Sequence, residues 1–144
     1  MKDITNLKEN IRLNVEVLDW KEAITKAGEI LLNSGYINEK YINEMIEAVE
    51  NLGPYIVISP HIALAHAKPS NNVYENGISM ITLKNPVEFG HEYNDPVDIV
   101  FALCSKSSEN HLNFLKELTD IISNENIISI IRNADDPTEL SNIF

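Results

Sequence analysis

Val97-Asp98-Ile99-Val100-Phe101-Ala102-Leu103-Cys104 carries one polar side chain in eight residues. A nearly continuous apolar run of strand length, rich in β-branched residues, reads as a central strand covered on both faces. A sheet with two covered faces needs helices on each side, and the rest of the chain supplies them. Upstream, Gly77 to Leu83 is a second strand, with Asn85-Pro86 as a turn after it. Tyr55 to Ile58 and Ile62 to Ala65 are short strand-like runs. Ile11, Leu13, Val15 and Val17 alternate with Arg12, Asn14 and Glu16, the period of a half-buried strand.

Helical periods fill the remainder. Asp19 caps a helix, with Glu22 completing a capping-box-like pair and Ala23, Ile24, Ala27, Ile30 and Leu31 as its apolar stripe. Gly35 ends it. Asn38 caps a second helix carrying Tyr41, Ile42, Met45, Ile46 and Val49 at helical spacing, closed by Gly53-Pro54. Glu109 to Ser123 returns to helix period through Leu112, Leu115, Leu118, Ile121 and Ile122. Asn126 to Ile131 reads as a short helix or a strand, and Asp136-Pro137 starts a final helix with proline at its first position. The expected architecture is α/β: one mixed β-sheet flanked by helices on both faces, with residues 1–144 forming a single domain.

Composition narrows the function. The chain has 144 residues, 44% hydrophobic and 23% charged, with a net charge of −11. Such a charge argues against nucleic acid, whose phosphates require a basic face, and suits a partner with a basic docking surface. One cysteine, Cys104, excludes an internal disulfide and a cysteine-rich zinc site, and its apolar setting makes it a buried small hydrophobe. Met1-Lys-Asp-Ile-Thr-Asn is polar where a signal peptide needs an apolar block, and no run approaches the ~20 apolar residues of a membrane span. The expectation is a soluble, cytoplasmic protein.

Reaction chemistry concentrates in Gly53 to Val73, GPYIVISPHIALAHAKPSNNV, which holds two of the four histidines. His66 follows the small apolar run Ile62-Ala63-Leu64-Ala65 and precedes Ala67, Lys68 and Pro69. An imidazole at a strand end among small side chains is accessible and held still, which suits a nucleophile. A neutral imidazole attacks phosphorus through one ring nitrogen while the other holds its proton on a fixed acceptor. Lys68, Asn71 and Asn72 stand close in sequence as donors for an anionic group. His111 opens a predicted helix, where backbone N–H groups and the dipole favour anions. Taken alone, a histidine near a strand end is more often structural than reactive. There is no Gly-rich phosphate loop and no nucleophile elbow. His61 and His66 are five residues apart, which places them on opposite faces of a strand and does not make a zinc pair. Glu88, His91, Glu92, Asp95 and Asp98 read as a solvated acidic loop.

These residues resemble the enzyme IIA domains of the bacterial phosphoenolpyruvate-dependent sugar phosphotransferase system, of the mannitol/fructose type, from about Ile11 to Phe144. Gly53-Pro54-Tyr55, Lys68-Pro69, Asn85-Pro86-Val87-Glu88-Phe89 and Asn94-Asp95-Pro96-Val97-Asp98 are similar to the ascorbate-type subgroup. Asn110-His111-Leu112 matches the second active-site histidine of that family. The resemblance implies that His66 takes a phosphoryl group from the phosphocarrier protein HPr. It would pass it to a cysteine of a cognate enzyme IIB, while the membrane enzyme IIC imports the sugar. His111 would stabilise the transferring group, supported by Lys68, Ala67 and Asn110. No metal or organic cofactor is implied, and a homodimer is left open. A regulatory module, or an inactive interaction protein of the same fold, is the alternative. Two departures stand out. The family's proline before the active histidine is Ala65 here, while a Pro-His pair occurs as Pro60-His61; the flanking Gly-Pro-Tyr and Lys-Pro elements register His66. Some relatives carry a helix arginine near the site, and the nearest position by spacing is Glu50.

Overall fold

The computed structural model describes residues 7–143; the polar segment 1–6 and residue 144 lie outside them. Five strands form one mixed sheet: β1 (Ile11–Val15), β2 (Val57–Ser59), β3 (Ile62–His66), β4 (Gly77–Val87) and β5 (Val97–Cys104), in the order β1-β4-β5-β3-β2. β1 runs parallel to β4 and β3 parallel to β5, whereas β4–β5 and β3–β2 are antiparallel. β5 is central, as its apolar run requires.

Side-chain alternation along β5 sorts the core into two layers. Val100, Ala102 and Cys104 point to one face, where α1 (Trp20–Asn33) and α2 (Glu39–Leu52) pack. Ile99, Phe101 and Leu103 point to the other, under α3 (Ser108–Ile122) and α4 (Glu125–Asn133). Asp19, Asn38, Ser107 and Asn124 cap the four helices with side-chain oxygens on backbone N–H groups. α1 and α2 approach closely at Gly28, where a Cβ would stand 2.8 Å from Ile42 Cγ1.

Four readings of the sequence change. Asn85-Pro86 does not turn the chain: β4 continues to Val87. Thr82 pairs with Ile99 and Val87 with Val97, so residues 83–86 stand opposite Asp98 alone. Proline is tolerated at such an irregularity because no ladder N–H is needed there. The strand expected over Tyr55 to Ile58 is displaced to Val57–Ser59, since Gly53 caps α2 at a φ of 88° and Tyr55 falls in the turn that follows. The final helix is instead a single 3-10 turn, Pro137–Leu140, with a full capping box, while residues 125–133 take the helical of the two expected forms. The acidic loop is not merely solvated: Asp95 accepts the N–H groups of Phe89, Gly90 and His91, and Asp98 holds Arg132 through two bonds of 2.6 and 2.9 Å.

Candidate active site

β3 is a ruler for the site. Ala63 and Ala65 face α1 and α2, where their small side chains let the helices approach. Ile62 and Leu64 face the opposite layer. By the same alternation His66, the last residue of β3, turns toward α3. Ala65 is fully buried and in register with Ala102, and His66 is in register with Leu103, so the strand holds its pairing to the histidine without a proline before it.

α3 brings the second histidine to the same place. His111 lies one turn into the helix that Ser107 caps, and its ring centroid is 5.0 Å from that of His66. Tyr55 also packs on His66 in an edge-to-face arrangement, with centroids 5.6 Å apart. The two imidazoles open into a cleft of about 690 Å³, walled by Glu44, Glu47 and Leu52 on α2, Tyr55 in the turn after it, Lys68 after β3, and Leu112 on α3.

The proton on His66 is placed by geometry. Nδ1 lies 2.8 Å from the carbonyl oxygen of Leu64. A carbonyl only accepts, so Nδ1 carries the hydrogen and Nε2 keeps its lone pair. Burial pushes the His66 pKa below the ordinary histidine value, only partly offset by the Leu64 bond. Burial lowers that of His111 too, with the neighbouring His66 adding to it. Both rings are therefore biased to the neutral form, and a neutral Nε2 is a nucleophile.

Tyr41 is the member of this assembly that the sequence did not reveal. Its period marked it as one more core residue of α2. Fully buried, its hydroxyl donates to the Leu103 carbonyl at 2.7 Å and accepts the Ala67 N–H at 3.0 Å. Burial lifts its pKa far above the usual tyrosine range. The hydroxyl thus joins Leu103, the register partner of His66 on β5, to Ala67, the residue after β3. A tyrosine in an otherwise aliphatic stripe was the only signal available, and nothing in one sequence says where its oxygen ends.

The other expected residues divide. Lys68 lines the cleft, exposed, with no ion pair among the described residues. Ala67 lines it as well, but its N–H is engaged by Tyr41. Asn110 gives its N–H to Ser107 Oγ and does not line the cleft. Asn72 is bound to Glu44 and Asn38, holding the loop after Lys68 in place. Glu50 pairs with Lys21 on α1, outside the cleft lining. His91 accepts the N–H groups of Tyr93 and Asn94 and organises its own loop. Cys104 is buried, its thiol pushed up to about 12 by loss of solvation.

His61 is turn chemistry. Pro60 and His61 are the central residues between β2 and β3, and His61 has a φ of 68°. Proline first and a positive φ second is the backbone pattern of a type II turn. At the opposite end of β3, roughly 16 Å from His66 at the rise of an extended strand, its Nδ1 donates to the Pro96 carbonyl at 2.7 Å. Among the described residues no three His, Cys, Asp or Glu side chains are grouped to hold a metal ion, and no helix is long and apolar enough to cross a membrane.

Comparison with known proteins gives the family and the fold. Residues 5–144 match the family described as phosphoenolpyruvate-dependent sugar phosphotransferase system, EIIA 2. The ascorbate-specific PTS system EIIA component of Salmonella choleraesuis is 38% identical over 113 residues, 77% of this chain and 73% of its own length. A PTS IIA protein of Streptococcus mutans superposes with a TM-score of 0.87 at 29% identity, over 96% of this chain and 88% of its own. The complex of enzyme IIA-mannitol with phosphorylated enzyme IIB-mannitol from Escherichia coli superposes with a TM-score of 0.83 at 26% identity, over 94% and 93%.

Proposed function

The chain belongs to the EIIA 2 family of the phosphoenolpyruvate-dependent sugar phosphotransferase system, and from that membership we propose that Nε2 of His66 is the atom that carries the phosphoryl group. The protein is a phosphotransferase component that acts as a phosphocarrier in sugar uptake. The observation that carries the assignment is the Nδ1–Leu64 bond, which leaves Nε2 as the reactive nitrogen of a partly buried, neutral ring.

The donor is phospho-HPr. The Nε2 lone pair attacks phosphorus, the new N–P bond forms as the donor's N–P bond breaks, and the electron pair of the broken bond returns to the donor imidazole. As the phosphoryl group arrives, the His66 ring gains positive charge, which Nδ1–H shares with the Leu64 carbonyl. The anionic oxygens meet His111, the Lys68 ammonium and the N-terminal turn of α3 at Ser108, whose dipole favours negative charge. In the second step a cysteine thiolate of enzyme IIB attacks phosphorus, an S–P bond forms, and His66 is restored as a neutral imidazole. The partner is by proposal a cognate IIB, as in the mannitol complex, with a membrane IIC downstream in the same system. The exposed apolar side chains of Leu52 and Leu112 at the cleft rim suit a docked protein. Ascorbate is the proposed sugar, supported by the ascorbate-specific relatives. The proposed location is the cytoplasm, and residues 1–144 are read as one IIA module.

The test is incubation with phosphoenolpyruvate, enzyme I and HPr, followed by intact mass spectrometry. One acid-labile phosphoryl group is expected, retained in His61→Ala and absent in His66→Ala. Label that survives in His66→Ala and disappears in His61→Ala would move the acceptor to the β2–β3 turn.

A further inference from the structure

Ser105 is buried immediately beyond the end of β5, and its Oγ lies 3.3 Å from Nδ1 of His111. That ring nitrogen is the only hydrogen-bond partner of the hydroxyl among the described residues. Two arrangements of protons fit the distance. If Nδ1 carried the hydrogen, the serine oxygen would accept it, and the serine's own proton would be buried without an acceptor. If the hydroxyl donates to a bare Nδ1, both groups are satisfied. Buried polar hydrogens are almost always paired, because leaving one unpaired forfeits its solvation.

We propose that Ser105 is a positioning residue that fixes the single proton of neutral His111, its hydroxyl donating to Nδ1 so that the imidazole presents Nε2–H to the cleft. The consequence is a matched pair. His66 holds its proton on Nδ1 and offers a lone pair at Nε2, while His111 offers a hydrogen at Nε2. One ring attacks phosphorus and the other receives the phosphoryl oxygens, and two rings in the same tautomer could not divide the work in this way. With the opposite tautomer, His111 would turn a lone pair toward an anion and repel it. The inference rests on the reading of His111 as the group that stabilises the phosphoryl oxygens, and it adds the residue that makes the ring a donor.

The experiment is long-range ¹H–¹⁵N NMR on histidine-labelled protein above neutral pH, joined to the rate of phosphoryl exchange with phospho-HPr. In the unmodified protein His111 is expected as the Nε2–H tautomer with a hydrogen-bonded, unprotonated Nδ1. In Ser105→Ala the Nδ1 resonance should move toward its unbonded value and exchange should slow about tenfold, the low end of what second partners of metal-bound imidazoles supply. Ser105→Thr should keep both the resonance and the rate. A protonated Nδ1 in the unmodified protein overturns the proposal, as does Ser105→Ala with an unchanged spectrum and rate. Should Ser105→Ala not fold, the tautomer of the unmodified protein and the behaviour of Ser105→Thr decide the question. Exchange at the full rate in His111→Ala would instead remove the role of His111, leaving the tautomer measurement to judge Ser105 separately.

Discussion

The rings of His66 and His111 lie 5.0 Å apart although one ends a strand and the other sits in the first turns of a helix. That proximity depends on two local facts. Alternation turns His66 to the α3 side of the sheet, and the cap at Ser107 starts α3 directly beyond β5, the strand beside β3. Burial is the main reason both imidazoles resist protonation, with His66 adding to the effect at His111, and several measurements follow.

With His66 in its proposed role, phosphoryl transfer should have its acid limb below pH 6.5, the ordinary histidine value, because an attacking imidazole must be neutral and the pKa of His66 is lowered in the fold. A pH–rate profile for phosphorylation by phospho-HPr checks this. An acid limb above 6.5 would mean that the nucleophile is not this buried ring.

Stability should follow the same two groups. The unfolded histidines titrate near 6.5 and the folded ones lower. The unfolded state therefore binds more protons as pH falls through that value, and stability present above it is lost below. Thermal melts at pH 7.5 and 5.5 should show a lower Tm at the acid end, and the difference should shrink in a His66→Gln/His111→Gln double variant.

Tyr41→Phe should fold and be less stable by about 1–3 kcal/mol, the cost of leaving the Ala67 N–H and Leu103 carbonyl without the hydroxyl. Urea denaturation measures it. A loss below a few tenths of a kcal/mol would show that the two backbone groups find other partners.

Lys68→Ala should slow phosphorylation roughly tenfold, well short of the effect of a buried donor, because the ammonium is exposed and screened by salt. Lys68→Arg should recover most of the rate, and the difference between Ala and Lys should narrow as ionic strength rises. A salt-independent difference would point to a contact other than charge.

Gly28→Ala should cost about 1–3 kcal/mol, since the added methyl would stand 2.8 Å from Ile42 on the facing helix. Combined with Ile42→Ala, which removes the contacting Cγ1, the loss in the same melt should be smaller than the sum of the two single changes.

Much of this was legible in one sequence, for identifiable reasons. The apolar run of β5 demanded two covered faces, and the helix caps at Asp19 and Asn38 stood in the sequence as side chains of the right type. His66 and His111 could be paired by resemblance, because motif order survives where contacts cannot be seen. What escaped was long-range. Asn85-Pro86 has the local chemistry of a turn, and only the pairing of β4 with β5 absorbs it as an irregularity. Pro60-His61 imitates the family motif but belongs to a hairpin. Tyr41, Tyr55 and Ser105 act through single polar atoms or ring edges aimed across elements, and neither composition nor periodicity records aim.

The acceptor for the proton of His66 is the main-chain oxygen of Leu64, two residues back in the same strand. Main-chain atoms are common to every amino acid, so no point substitution at position 64 deletes that partner. Substitutions there change the core packing while leaving the tautomer of His66 in place. The Nδ1 proton of His66 is thereby insulated from mutation, whereas the hydroxyl facing His111 is a side chain that a single codon change can remove. Drift in this site should therefore reach the tautomer of His111 before it reaches that of His66.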